Sequence, residues 1–178
     1  IKKNCFKMNC LQLNNEACVL IRSSLNDTAR QRLSLALFET CSKSTSASPQ
    51  HMSLDSFSTS AHSPSSLDHE YDEGMMTFSE PIHIACTQSY ALPDAATLRS
   101  TVLFNLGLVH SFLSENEEAV TYFSDCLEAL ENFALSQAYQ PSAVAVLNNL
   151  GHAYFRLGNH GEAIKCYERS ITLCRSQS

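Results

Sequence analysis

LNNLGHAYFRLGNHGEAIKCYERSI, residues 147–171, is the stretch whose reading decides the fold. Leu147, Leu150 and Tyr154 recur at three- and four-residue intervals, so they share one face of a helix. Gly158-Asn159 breaks that pattern. Beyond it, Ala163, Ile164, Tyr167 and Ile171 form a second apolar stripe. Gly151 and Ala163 are small enough to let two helix backbones approach closely where they cross. One such hairpin cannot bury both of its apolar faces alone, so a neighbour of similar build is expected.

That neighbour lies 44 residues upstream, where Leu103 to Gly107 aligns with Leu147 to Gly151. Twelve residues after each glycine stands an alanine, Ala119 or Ala163, and four further on an aromatic, Phe123 or Tyr167. On these residues the chain resembles the tetratricopeptide repeat (TPR) family, with Leu150-Gly151, Tyr154, Ala163 and Tyr167 meeting its pattern. His110 replaces the family's usual tyrosine in the upstream copy. The resemblance implies an all-α fold of antiparallel helical hairpins stacked as an α–α superhelix. The usual period is about 34 residues. The longer spacing here points to extended helices, similar to the longer repeats of kinesin light chains.

Working outward, the chain divides into five parts. Residues 1–41 read as a degenerate first hairpin, with one helix from Leu11 to Arg22 and a second from Thr28 to Cys41 capped by Asn26-Asp27. Aligned on Asn14, this hairpin places Glu16 at the glycine position and needs one extra loop residue. Residues 42–70 are expected to be a disordered Ser-rich insertion. From Ser42 to Ser66, 11 of 25 residues are serine, and no hydrophobic period survives to offset the entropy of ordering them. Residues 71–92 include Met75, Phe78, Ile82 and Ile84, too apolar for a free linker. A short extended or hairpin segment is expected there, packed over the repeats or lying in their groove. Residues 93–137 form the middle repeat: a helix from Pro93-Asp94 to Leu113, then one to Leu135 opened by the capping box Ser114-x-x-Glu117. Residues 138–178 form the last repeat, opened by Gln140-Pro141 and closing near Arg175.

Composition narrows the function. The 178 residues carry a net charge of −6, with no Lys or Arg between Lys43 and Arg99 or between Arg99 and Arg156, a poor basis for holding phosphate backbones. No apolar run approaches the roughly 18 residues that span a bilayer. The chain begins at Ile1 and reads as an excised segment. Its eight cysteines show neither C-x-x-C pairs nor zinc-type spacing, which fits reduced thiols in a cytoplasmic or nuclear protein. Nucleotide, hydrolase and metalloprotease motifs are missing. No catalytic residue, metal or cofactor is expected.

The functional expectation is therefore protein–protein recognition. In stacked hairpins the first helices line a concave groove. Off the packing stripe, Phe104, Asn105, Leu108 and Phe112 of the middle repeat face it, as do Asn148, Asn149, His152, Phe155 and Arg156 of the last. Asn14, Asn105 and Asn149 recur two residues before the glycine-equivalent position. An Asn amide both donates and accepts, so it can pair with both backbone groups of an extended peptide. At the positions where some relatives clamp acidic chaperone tails, Asn105 alone fits. Phe104, Leu108, Phe112 and Phe155 instead point to apolar side chains on the partner. Two alternatives stand beside this reading. The array can be part of a longer solenoid or self-associate through its last helix, where Ile164, Tyr167, Ile171 and Cys174 lack a cover. It can also respond to redox state or metal through its thiols.

Overall fold

A computed structural model describes residues 2–41, 78–84, 94–132 and 142–176. The expectations for the Ser-rich insertion, the Gln140-Pro141 helix opening and the flanks of the 71–92 segment lie outside these residues.

Among the described residues, six helices form three antiparallel hairpins: α1 (Lys2–Arg22) with α2 (Asn26–Cys41), α3 (Ala95–Phe112) with α4 (Asn116–Asn132), and α5 (Ala143–Arg156) with α6 (His160–Ser176). Helix α2 packs on α3, α4 on α5, and α1 also touches α3. Helix α3 is central and is buried at 13 positions from Thr97 to His110. It lends Leu98, Val102, Leu106 and Val109 to one core with the first hairpin, and Leu103, Phe104 and Leu108 to another with the last. A helix apolar all round belongs at such a place. Asp94 starts it by accepting from Thr97 N–H at 2.8 Å.

The three hairpin turns are copies of one another. Ser24, Ser114 and Gly158 all have left-handed backbones, with φ of 57°, 61° and 74°. In each, the next residue's N–H reaches back to a carbonyl five residues earlier: Leu25 to Leu20, Glu115 to His110, and Asn159 to Tyr154. Two sequence expectations change here. Ser114 cannot cap α4 because it occupies the left-handed turn position. The helix opens instead with Glu115, whose carbonyl accepts from Ala119 N–H, and α2 opens likewise on Leu25 and Ala29. An L-residue with a side chain is strained at a left-handed position where glycine is not. We expect Ser114→Gly to stabilise the chain by about 0.5–1 kcal/mol in urea denaturation.

The turns also fix the register of the first hairpin. Gly158 and Ser114 stand seven residues after Gly151 and Gly107, so Ser24 assigns the matching position to Ala17, not Glu16. Ala17 is fully buried, as are Ala29, twelve residues on, and Leu33, sixteen on, with no extra loop residue required. Glu16 turns outward to Gln12 (2.9 Å) and Arg32 (3.8 Å).

At the other two crossings, glycine is there for space. A methyl on Gly107 would lie 2.5 Å from the Phe123 ring, and one on Gly151 would lie 2.7 Å from the Tyr167 ring. His110 is a packed, hydrogen-bonded ring: it stacks on Tyr122 at 4.9 Å, and its Nδ1 lies 2.6 Å from Glu115. Arg30 Nη1 also donates to both carboxylate oxygens of Glu115, at 2.9 and 3.1 Å, while its Nη2 reaches Asp27, and this joins the first hairpin to the second. Burial pushes the His110 pKa below its ordinary value, and the Glu115 carboxylate opposes that shift.

The apolar stripe of α6 is buried only in part. Ala163, Cys166 and Ser170 are its buried positions, while Ile164 and Ile171 are 56 % and 51 % exposed.

Candidate functional site

The first helix of every hairpin supplies an asparagine amide that pairs with the backbone of residues 78–84, which lie across all three. On α1, Asn15 donates to Ile84 O at 2.8 Å and accepts from Ile84 N–H at 3.0 Å. On α3, Asn105 donates to Ile82 O at 3.1 Å and accepts from Ile82 N–H at 2.9 Å. On α5, Asn149 donates to Phe78 O and accepts from Phe78 N–H, both at 3.0 Å. Each amide thus engages both backbone groups of a single residue. The segment runs antiparallel to the order of the repeats.

The chemistry of an extended chain accounts for this pairing. A strand residue points its N–H and C=O to the same edge, and alternate residues share that edge. Residues 78, 82 and 84 have one parity, so one edge meets all three amides. The backbone requirement is met in full, whereas no side chain of the segment takes part in the clamps.

The middle clamp is the most enclosed. Asn14 and Asn105 are fully buried; Asn14 accepts from Asn105 at 2.9 Å and donates to Ile82 O at 3.1 Å. The Cys18 thiol donates to that same carbonyl at 3.3 Å and receives the Asn105 amide at 3.5 Å. Burial pushes the Cys18 thiol up to about 11, so it stays protonated as the donor it is here. Ile84, 1 % exposed, is embedded in the core of the first two hairpins, and Ile82 packs against the other core. Phe78, at the far end, is 47 % exposed.

The sequence-derived groove residues separate into three groups. Asn14, Asn105 and Asn149 contact the segment, and Asn148 is half-buried beside Asn149. Phe104, Leu108 and His152 are buried, the first two within the core between the last two hairpins. Phe112, Phe155 and Arg156 are exposed near helix ends, with the Phe155 ring 5.2 Å from His160 in the α5–α6 turn. Sequence reasoning missed Asn15 and Cys18. The tandem Asn14-Asn15 mirrors Asn148-Asn149, a signal that would have pointed to the second residue of the pair as the clamp.

Cys10, Cys18, Cys126 and Cys166 are buried, without disulfide partners. No group of three or more potential metal ligands occurs among the described residues, and no described helix is long and apolar enough to cross a membrane.

Comparison with known proteins agrees with this geometry. Tetratricopeptide repeat models match residues 100–133 and 144–177, that is, the second and third hairpins. Its second and third hairpins are tetratricopeptide repeats. Both TPR matches have the ordinary 34-residue length. The ten residues that lengthen the spacing, 134–143, fall between the two matches, not within extended repeats as the spacing had suggested. Over 95 residues the chain is 34 % identical to a protein of Arabidopsis thaliana, "Anaphase-promoting complex subunit 6", covering 49 % of this chain and 17 % of that one. No solved structure matches. A TPR array of this kind is a protein-interaction or scaffold fold.

Proposed function

We propose that this TPR chain recognises partner proteins by receiving an extended, apolar segment along its concave groove, with residues 78–84 as a resident occupant that a partner replaces. The observation that carries the reading is the trio of asparagine amides, each bonded to both backbone groups of one residue. Such clamps demand an extended backbone and leave side-chain choice to the apolar floor. Ile82 and Ile84 show what that floor accepts. A tethered segment competes at an effective concentration of about millimolar, so a partner must bind better than the resident or meet a chain whose resident is weakened.

The test uses a labelled peptide of residues 75–87, titrated into the intact chain and into the Ile84→Ser variant. Binding is expected to be tighter to the variant, whose own segment has lost its anchor, and to weaken roughly tenfold on adding Asn149→Ala. A peptide that binds neither chain, or binds equally well with Asn149→Ala, removes the groove reading.

A second reading draws on α6. Ile164 and Ile171 correspond, 44 residues on, to Val120 and Leu127 of α4, which pack into the core shared with α5. The outer face of α6 would then stack another hairpin, placing this array within a longer scaffold. A chain that stays monomeric in light scattering at high concentration would exclude self-association through that face.

A further inference from the structure

A cavity of about 350 Å3 opens between α3 and α5, lined by Phe104, Ser142 and Ala145 below and by Phe78 to Glu80 and Ile82 of the segment. Its position follows from the register. The first two clamps engage residues two apart, Ile84 and Ile82, but the next engages Phe78, four residues on. Residue 80 has the parity to meet the same edge, yet no clamp holds it. Two residues of strand span about 6.6 Å and four about 13 Å, so the chain spends one extra two-residue step between Asn105 and Asn149. The cavity lies beneath that step.

We infer that this cavity is a side-chain subsite of the groove, open on one side and roomy enough for an apolar side chain up to phenylalanine size from the occupying segment. This rests on the reading of the groove as a peptide site and names what the preferred partner carries there. The resident chain leaves the subsite unfilled because it has nothing suitable to offer. Ser79 is too short, and the Glu80 carboxylate reaches away to Arg22, 3.5 Å off, with its side chain 84 % exposed. Pro81 has no N–H to donate. The floor is otherwise apolar, an aromatic ring and a methyl with the single hydroxyl of Ser142, so a charged side chain would be desolvated there without a partner. The resident therefore satisfies the backbone clamps but forgoes burial. A partner segment with an apolar residue at the place of Ser79 or Glu80 gains what the resident lacks.

The intact chain tests this directly. Ser79→Leu and Glu80→Leu are made separately, with Glu80→Ser as the control for losing the exposed ion pair. At least one leucine is expected to raise the melting temperature by roughly 3 °C or more, and Ala145→Leu, which fills the cavity from below, should abolish the gain. The 75–87 peptide with the favoured leucine should then bind the Ile84→Ser chain roughly tenfold tighter than the native peptide. No gain at either position, or a gain that survives Ala145→Leu, overturns the subsite. A thermal gain that behaves as expected, with no peptide binding at all, supports the subsite in the intact chain and sinks only the exchange with a partner.

Discussion

Gly107→Ala is expected to destabilise the chain by roughly 3 kcal/mol, lowering the melting temperature by about 6–12 °C, whereas Gly151→Ala should cost about 1 kcal/mol or less. Both glycines occupy the same place in their repeats, and both substitutions gain up to about 1 kcal/mol of helix propensity. What separates them is the burial of the facing ring. At Gly107 the new methyl would meet three Phe123 ring atoms at 2.5, 2.6 and 2.8 Å. Phe123 is fully buried, with Phe104 against it at a centroid distance of 5.9 Å, so the ring has nowhere to go. At Gly151 the contacts are looser, 2.7 to 3.0 Å, and the Tyr167 ring is only half-buried. Thermal denaturation of the two variants checks the ranking. Equal losses would mean that the crossing distance, and not the burial of the ring, sets the penalty.

The second large effect is expected at Asn105. Removing its amide strands Ile82 N–H and the Oδ1 of Asn14 at a fully buried position. Each unpaired group costs about 1–3 kcal/mol, so Asn105→Ala should lose roughly 3 kcal/mol or release the segment instead. The two outcomes are separable through Cys18, which the segment covers. If the segment stays, the thiol remains protected and only the denaturation midpoint falls. If it leaves, iodoacetamide modifies Cys18 far faster, as judged by mass-spectrometric mapping. Helical circular dichroism should persist in either case, because all three hairpins keep their own turns. Asn149→Ala should cost about 1 kcal/mol, since water can reach its half-exposed partner Phe78. Equal effects at Asn105 and Asn149 would contradict the enclosed middle clamp.

The hairpins were legible because their signal is local. A glycine, an alanine twelve residues on and an aromatic four beyond that report one crossing of two helices, and the second and third repeats carry all three. The first repeat was harder because its crossing uses Ala17, which marks no break in a helical pattern, while Glu16 beside it drew the alignment off by one. That slip also misplaced the clamp, giving Asn14 the role held by Asn15. Stripe reasoning on α6 grouped Ile164 and Ile171 with Ala163 and Tyr167, because hydrophobicity alone does not tell a face packed within a repeat from one that awaits a neighbour. Ser114-x-x-Glu117 misled for a similar reason. A capping box and a turn use the same residue types, and only backbone sign distinguishes them. Residues 78–84 could be read as too apolar to be free. That they lie across all three repeats depends on contacts 23 to 71 residues apart in sequence, which no local pattern encodes.

In an ordinary repeat array each unit holds only its neighbours, so the ends can melt before the middle. Here one strand is fastened to α1, α3 and α5 at once, much as a lace passes through successive eyelets. Fraying of the last hairpin must undo a knot that the first hairpin also tightens. Three modules that could come apart singly are thereby made to stand or fall together.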